Sequence, residues 1–370
     1  MPLPFILAGA AIAAASYGAK KGYDGYQDKS KADEIVQTSK KHYEQNKKIF
    51  DSVNERTNIQ LENLGALQLK IGQDFAEFRK IAEELLKKIN QSGDKDLKVS
   101  IPAYKLEKIE SMAMSATTYI ANLAKAGVVG GAAAYAVYGG VMALAAASTG
   151  TPIAALSGVA ASNATLAAIG GGSLATGGLG IAGGTAVLGG VVVAPILAVA
   201  GWAYASHAAE ALVDAEKMRQ EANDAVVKME LAGKYLSNLG DYAAKVHAET
   251  ARIYQFFGSY FQDLKAMDAF IRNGGDVDQV EEAVIRIISN GYAVAAILTD
   301  LIMTPLFKPK MHLNNPPVIK ADGTIEVESV AVDKDGNVEI EKDSHGMQVI
   351  NAEAIDHALE QTQEQAKGLG

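Results

Sequence analysis

The central block Ala126–Ala209 contains no Asp, Glu, Lys or Arg, and this limits what the chain can fold into. The block holds half of the chain's 36 glycines and is also rich in alanine. Because a helix crosses the hydrocarbon core of a bilayer in about 20 residues, the block has the length for roughly two to four crossings. The best candidate spans are Ala126–Ala147 and Thr185–Ser206, and Pro195 is expected to kink the second. We therefore predict a hydrophobic helical hairpin that inserts into a lipid bilayer.

Small and aromatic residues of the block lie where a membrane hairpin needs them. Gly180 and Gly184 have the spacing at which two helices approach each other closely in lipid. Trp202 and Tyr204 lie at the far end of the block, and such amphipathic rings prefer the membrane–water interface. Two other interpretations remain open. The hairpin is either buried permanently inside a soluble bundle, or it is stored in a soluble form and released later.

The first residues of the chain form a second apolar segment. Leu3–Ala19 is apolar and is followed directly by Lys20 and Lys21. A cleaved secretory signal carries its positive charge before the apolar run, so we predict an N-terminal anchor or interfacial helix within residues 1–26. The alternatives are a cleaved signal and a helix packed inside the protein. If the segment spans a membrane, the two lysines favour the cytoplasmic side for the residues that follow.

A heptad pattern dominates the segment after the block. Every seventh residue from Ala211 is apolar through Met267, and this series includes the seam residues Leu239, Val246, Ile253 and Tyr260. A second series starts at Ala215 and has Thr250 as its one polar member, whose hydroxyl is able to bond back to a helix carbonyl. The two series alternate as a and d positions do, which predicts a coiled-coil seam. The alternative is one long helix packed in a bundle.

The segment before the block repeats this pattern, and helix-breaking residues limit both arms. In the first arm, Ile71, Phe78 and Leu85 are seven residues apart. The breaks at Ser92-Gly93-Asp94 and Pro102, at Asn273-Gly274-Gly275 and at Pro305 predict two further helices, over about 104–125 and 277–303. We expect two elongated antiparallel coiled-coil arms, at residues 27–125 and 210–310, around the hairpin at 126–209.

The last part of the chain, residues 311–370, changes character. It carries 4 Lys and 12 Asp or Glu, a net charge of −8. Two β-prone runs, Thr324–Val332 and Asn337–Ile340, each follow an Asp-Gly turn and predict a small acidic β-hairpin. A short polar helix is expected over Ala352–Ala366. The run Asp333, Asp335, Asn337 resembles a calcium loop only loosely, because Gly336 does not have the position that an EF-hand requires.

The chain lacks the usual signatures of catalysis, cofactor binding and nucleic-acid binding. There is no cysteine, and the six histidines are scattered without metal-ligand spacing. Residues 178–183 match GxGxxG, but the dinucleotide fingerprint needs an acidic residue about 20 positions later, where the chain is uncharged. A net charge of −9 without a basic stripe argues against nucleic acid. We predict no enzymatic activity, no cofactor and no metal.

The order of arm, hairpin and arm over residues 30–305 resembles the α-helical pore-forming toxins of the cytolysin A and haemolysin BL type. Apolipoprotein L-like proteins have a similar layout. The opening segment, Met1–Tyr26, together with the glycine-rich block also resembles poorly characterised bacterial membrane proteins that carry glycine-zipper or chemotaxis-protein labels. These resemblances rest on layout, so they imply no particular functional residue.

The resulting expectation is a membrane-inserting helical protein that oligomerises to form a pore or remodel the bilayer. Its partners would be the lipid bilayer and further copies of the chain. The alternative is a membrane-anchored scaffold or signalling adaptor whose arms bind a protein partner, and a third hypothesis is a soluble structural bundle. The expected location is the bacterial inner membrane with the arms in the cytoplasm, or a soluble form before insertion.

Overall fold

The computed structural model describes residues 22–93, 102–126, 132–133, 135–136, 208–319, 325–331, 339–344 and 347–368. Within these ranges the fold is all-α, as predicted, with one small antiparallel sheet. Five helices are described in full: α1 Gly22–Gly93, α2 Ala103–Ala126, α3 Ala208–Arg272, α4 Val277–Ile302 and α5 Ala352–Ala366. The two strands are β1 Met311–Ile319 and β2 Ile325–Val330. The predicted anchor at Leu3–Ala19 lies outside the described residues.

The helix ends follow from local chemistry that the sequence already contains. The end of α3 has the hydrogen bonds of a Schellman motif, because Gly274 N donates to Ile271 O at 3.1 Å and Gly275 N to Phe270 O at 3.0 Å. Gly274 has a φ of 88°, which a residue with a side chain rarely adopts. The carboxylate of Asp276 then caps α4 by accepting a hydrogen bond from Asp278 N at 3.0 Å.

The chain divides into two compact units. The first comprises residues 1–57 and 186–238, and its described part consists of the beginning of α1 and the beginning of α3. Phe50 of α1 packs against a row of α3 side chains that includes Met229 and Leu236. Thr57 Oγ1 donates a hydrogen bond to Leu236 O at 2.9 Å, so that a buried hydroxyl is paired across the two helices.

The second unit comprises residues 58–185 and 239–370, and its core is rich in aromatic side chains. The rest of α1, α2, the rest of α3 and α4 pack around this core. Phe257 of α3 contacts Phe75 edge-on, with ring centroids 4.9 Å apart, and Phe78 at 5.2 Å. Phe78 in turn meets Tyr292 of α4 edge-on at 5.2 Å. These edge contacts are the arrangement that aromatic quadrupoles favour.

In the part of the chain that the structure describes, α4 is the one helix long and apolar enough to cross a membrane. However, 67% of its most apolar window is buried inside the protein. Val284, Ile288 and Leu298 are fully buried in the aromatic core. Lys108 of α2 pairs with Asp300 at 3.0 Å beside that core. These contacts are those of a core helix, and the finding alone permits membrane association without requiring it.

The expectation that the two arms run antiparallel is wrong: α1 and α3 run parallel in each unit. In the second unit Lys70 Nζ donates to Tyr254 Oη at 2.7 Å, and further along both helices Glu84 pairs with Arg272 at 2.9 Å. In the first unit Ala32 packs against Ala215, and Thr57 bonds to Leu236. A heptad pattern shows which face of a helix is buried, but it carries no information about the direction of its partner.

The helix that packs antiparallel to α1 is α2. Arg79 of α1 pairs with Glu110 of α2 at 2.5 Å, whereas Gly72, earlier on α1, faces Ala116, later on α2. The two helices are therefore antiparallel, and α3 begins again in the direction of α1. The sequence separation between Phe75 of α1 and Phe257 of α3, whose rings are paired, is a whole number of heptads. Equivalent heptad positions of α1 and α3 therefore lie opposite each other.

The tail belongs to the second unit, and β1 and β2 pair antiparallel. The strand predicted at Thr324–Val332 overlaps β2, but its partner β1 was not predicted because Pro316 and Pro317 lie in it. The pairing is irregular between Leu313 and Val318, where the prolines lack an N–H to donate.

The remainder of the tail folds onto the helices. From the predicted run Asn337–Ile340, the described residues include Glu339 and Ile340, and Ile340 bridges to Pro309. Helix α5 has the predicted bounds and buries Ile355 and Ala366, while Asp356 accepts a hydrogen bond from Tyr242 Oη at 3.2 Å. The turns at Asp322-Gly323 and Asp335-Gly336, with Asp333 and Asn337, lie outside the described residues.

Candidate functional site

The four residues predicted to support membrane insertion lie outside the described residues. These are Gly180, Gly184, Trp202 and Tyr204. The described residues of the uncharged block are Ala126, Ala132, Ala133, Tyr135 and Ala136 at its beginning, and Ala208 and Ala209 at its end. The candidate site that the structure adds is the place where the beginning of the block contacts the helices.

The predicted seam residues all lie on α3. Leu239 and Ile253 are fully buried and Val246 is 4% exposed. Tyr260 is half-buried and packs against the aromatic core. In the second heptad series every member from Ala215 to Leu264 is buried, including Thr250. The hydroxyl of Thr250 has no hydrogen-bond partner among the described residues.

The beginning of the block is packed between α1 and α2. Tyr135 is 1% exposed, and it shares a hydrophobic cluster with Leu69, Ala116, Tyr119 and Ala132. The Tyr119 and Tyr135 rings are 5.2 Å apart. We call the surface that receives the block the dock, and its residues are Glu62, Gly65, Leu69, Ala116 and Tyr119.

Tyr135 does not lie on a straight extension of α2. Tyr135 contacts Tyr119 and shares a side-chain hydrogen bond with Ser115. In one straight helix these residues would lie about 24 Å and about 30 Å from Tyr135, at 1.5 Å per residue. Ala132 and Tyr135 therefore lie back against the side of α2 rather than in line with it.

Gly65 allows the closest approach in the dock. A Cβ on Gly65 would lie 1.7 Å from the carbonyl oxygen of Ala132 and 3.1 Å from Ala136 N. One heptad later, a Cβ on Gly72 would lie 2.3 Å from the Cβ of Ala116. Both glycines therefore have a packing role on the face of α1 that meets α2 and the block.

Sequence reasoning missed these two glycines, although a signal was present. A glycine inside a helix costs about 1 kcal/mol relative to alanine, so two glycines on one face of a helix are candidates for close packing. Gly65 and Gly72 recur at the heptad spacing within an arm that the pattern already identified as helical. The sequence alone does not identify what approaches them.

Glu62 supplies the ionisable group of the dock. Its Oε2 accepts a hydrogen bond from Ala133 N at 2.8 Å, as a side chain does for the unpaired N–H groups of a first helical turn. Burial raises the pKa of the nearby Tyr119, and the negative charge of Glu62 raises it further. Tyr119 therefore stays neutral near pH 7, and the dock offers the block an apolar surface with one carboxylate.

Comparison of the chain with protein-family models, with curated proteins and with solved structures finds no match. Among the described residues, no group of three or more His, Asp or Glu side chains is arranged to hold a metal ion. The uncharged block and its dock are therefore the candidate functional elements of the chain.

Proposed function

We propose that the protein inserts its uncharged block into a lipid bilayer while its charged helices remain in water. The observation that carries the proposal is the unbroken run from Ala126 to Ala209 without a formal charge. A charged side chain in the hydrocarbon core is costly, and a segment of this length without one is typical of membrane-crossing elements. The resemblance to helical pore-forming proteins adds that several copies act together in a pore or in bilayer remodelling.

The helices on either side of the block are suited to an aqueous environment. Exposed ion pairs follow α1, such as Lys40 with Glu44 at 3.8 Å and Lys265 of α3 with Glu77 at 2.9 Å. The apolar side chains of α4 are already buried in the aromatic core. The part of the chain proposed to enter lipid is therefore the block rather than α4.

The dock supports a stored form of the block before insertion. Ala132, Ala133, Tyr135 and Ala136 are each less than 9% exposed, so they cannot contact lipid while they occupy the dock. The contact is also small, because alanine side chains bury little area and Tyr135 is the only large one among these four. A small contact of this kind holds the block without preventing its release.

Vesicle binding by the purified chain, without detergent, tests the proposal. The vesicles contain phosphatidylcholine and phosphatidylglycerol, and the readouts are flotation, dye release and the fluorescence of Trp202. Because Trp202 is the only tryptophan, a blue shift of its emission reports that the block has entered an apolar environment. Flotation with a blue shift supports the proposal. Flotation without dye release would favour the membrane-anchored scaffold, and a chain that does not float overturns both functions.

A variant that weakens the contact between the dock and the block tests the stored form. Gly65→Ala places a methyl group against the Ala132 carbonyl, so we expect faster insertion than for the parent. The matched control is Gly258→Ala on α3, where a Cβ meets nothing within 4 Å. Equal insertion rates for Gly65→Ala, the control and the parent would contradict storage at the dock.

A covalent lock is possible because the chain has no cysteine of its own. Leu69→Cys combined with Ala132→Cys joins the dock to the block, through a disulfide or a short thiol crosslinker. The control pair, Ala32→Cys with Ala215→Cys, joins α1 to α3 in the first unit. We expect the lock to prevent insertion until it is reduced, and the control pair to insert in both states. Insertion of the locked chain would contradict the stored form.

A further inference from the structure

Among the described residues of the block, Tyr135 is the large side chain that fills the dock. It is 1% exposed, its ring centroid lies 5.2 Å from that of Tyr119, and its hydroxyl shares a hydrogen bond with Ser115. A buried tyrosine needs such a partner, because a hydroxyl that leaves water without gaining one costs free energy. The dock therefore suits both parts of this side chain, the apolar ring and the polar hydroxyl.

The aromatic residues of the block lie at its two ends. Tyr135 and Tyr138 are near the beginning, Trp202 and Tyr204 are near the end, and residues 139–201 contain no Phe, Trp or Tyr. Tyrosine and tryptophan are enriched at both membrane–water interfaces, where the ring contacts acyl chains and the polar atom contacts headgroups or water. This pattern is typical of an apolar segment whose crossings begin after Tyr138 and end before Trp202.

The depth of Tyr135 in a bilayer decides whether its hydroxyl finds a partner. In the candidate span Ala126–Ala147 it would lie near the middle of the helix, about 15 Å from either surface of the hydrocarbon core. There the hydroxyl would lose Ser115 without gaining water, which is unfavourable. At the interface the hydroxyl regains water while the ring remains in apolar surroundings. The interface is therefore the position in the membrane that can replace the dock.

We propose that Tyr135 occupies two alternative sites, the dock in the stored form and the membrane–water interface in the inserted form, and that it sets where the membrane-crossing part of the block begins. The second site exists only if the block enters lipid, so the proposal rests on the function proposed above. The crossing part then lies within residues 139–201, and Ala126–Tyr135 remains outside the hydrocarbon core. The candidate span Ala126–Ala147 is replaced by one that begins after Tyr138.

Single-tryptophan chains measure the depth of each position in vesicles. The parent reports on Trp202, and Trp202→Phe combined with Tyr135→Trp or with Val193→Trp moves the one tryptophan to another part of the block. Vesicles of phosphatidylcholine and phosphatidylglycerol carry bromine on the acyl chains, either near the headgroup or near the chain end, and bromine quenches tryptophan that contacts it. We expect shallow bromine to quench tryptophan at positions 135 and 202 more strongly than deep bromine, and the opposite order at position 193.

The outcomes distinguish the position of Tyr135 from membrane insertion itself. Deep quenching at position 135 would support the span Ala126–Ala147 and overturn the proposal. Absence of lipid quenching at position 135, in vesicles that quench Trp202 of the parent, would also overturn it. In both cases the insertion of the block stands. If neither lipid quenches Trp202, the proposed function fails and the interfacial site of Tyr135 fails with it.

A second experiment tests the site of Tyr135 in the dock. Tyr135→Phe keeps the ring and removes the hydroxyl, and Ser115→Ala removes its partner. Each should speed insertion, followed by the blue shift of Trp202, by roughly 3- to 10-fold, the usual value of one hydrogen bond. The control is Thr117→Ala, because the Thr117 hydroxyl donates to Ala113 O within α2 at 2.8 Å, and it should insert at the parent rate.

The double variant shows whether the two hydroxyls act as a pair. Because Tyr135→Phe and Ser115→Ala remove the same hydrogen bond, together they should speed insertion by less than the product of their single effects. Parent-like rates for both single variants, or equal acceleration by Thr117→Ala, would overturn the role of Tyr135 in the dock.

Discussion

Phe78 of α1 lies with its ring directly against the bare Cα of Gly291 on α4. A Cβ on Gly291 would come within 2.4 Å of Phe78 Cζ and 2.7 Å of Cε2. The neighbouring Tyr292 meets the same ring edge-on, with the ring centroids 5.2 Å apart. The absence of a side chain at Gly291 therefore sets how closely α4 approaches α1 in the aromatic core.

The first prediction is that Gly291→Ala destabilises the protein by roughly 1–3 kcal/mol, the usual cost of overpacking a core. The matched control is Gly258→Ala, where a Cβ has nothing within 4 Å. Because alanine is the better helix former, the control should be more stable than the parent by up to about 1 kcal/mol. Urea unfolding of the three proteins measures both effects, and equal shifts for the two variants would refute the role of Gly291.

The second prediction concerns a buried polar layer. Thr250 is fully buried and Gln68 is 3% exposed, and their separation in the chain equals that of Phe75 and Phe257, the ring pair one heptad later. They therefore lie at the same level of the α1–α3 pair. The oxygens Gln68 Oε1 and Thr250 Oγ1 have no hydrogen-bond partner among the described residues.

We expect Thr250→Val to stabilise the protein by about 1 kcal/mol, because it replaces a buried, unpartnered hydroxyl with a methyl group of similar shape. Thr299 provides the control. It is equally buried, but its Oγ1 donates to Ala295 O at 2.8 Å, so Thr299→Val should be neutral or destabilising. Urea midpoints compare the two variants, and a destabilised Thr250→Val would mean that the hydroxyl has a partner.

The third prediction concerns alkaline pH. Burial raises the pKa of Tyr292 to about 12, and the negative charge of Glu83 adds to this effect. Since a tyrosine in the unfolded chain has a pKa of about 10, the stabilisation from neutral Tyr292 is complete below that pH. It is lost as the pH rises from about 10 towards the folded-state pKa.

Tyr292→Phe removes this titration and leaves the ring in the core. Between pH 9 and 12 the parent should lose on the order of 2–3 kcal/mol more unfolding free energy than the variant. The other tyrosines are present in both proteins, so their contributions cancel. Urea unfolding across that range measures the difference, and parallel pH profiles would show that Tyr292 does not titrate with folding.

Helix identity and helix ends are the part of this fold that could be predicted from sequence. Heptad spacing identified the buried face of α3, and local breakers such as Gly274 and Pro305 ended α3 and α4 close to where the structure ends them. These signals are local, because a missing N–H or a positive φ acts on its own turn. The predicted bounds of α5 also agree with the structure.

Helix direction and the dock could not be predicted, because both depend on contacts between distant segments. The seam pattern of α3 is the same for a parallel and an antiparallel neighbour. The ion pair between Arg272 and Glu84 could therefore not be predicted from it. Gly65 was visible as a glycine in a helix, but its partner Ala132 lies far along the chain, beyond the whole of α2. Strand β1 was missed because its prolines argue against a strand unless the partner is known.

The last prediction tests the seam itself. Val246 lies in the unbroken heptad series and is 4% exposed, whereas Ile59 of α1 is 54% exposed. Val246→Asp places a carboxylate where it loses its water and gains no partner, and we expect a loss of roughly 3 kcal/mol or more of unfolding free energy. Ile59→Asp introduces the same group at a solvated position, so its cost should stay within about 1 kcal/mol. Both variants lie in long helices, and aspartate has a similar helix propensity cost in each, so the difference between their losses of unfolding free energy isolates burial.

The pH dependence of the two variants gives a second test of the seam. Because a buried carboxyl regains stability when it is protonated, the loss of unfolding free energy in Val246→Asp should shrink as the pH falls towards 4, and that in Ile59→Asp should not. Urea unfolding at pH 7 and pH 4 measures both, and a Val246→Asp protein that unfolds like the parent would mean that this face of α3 is not a packed seam.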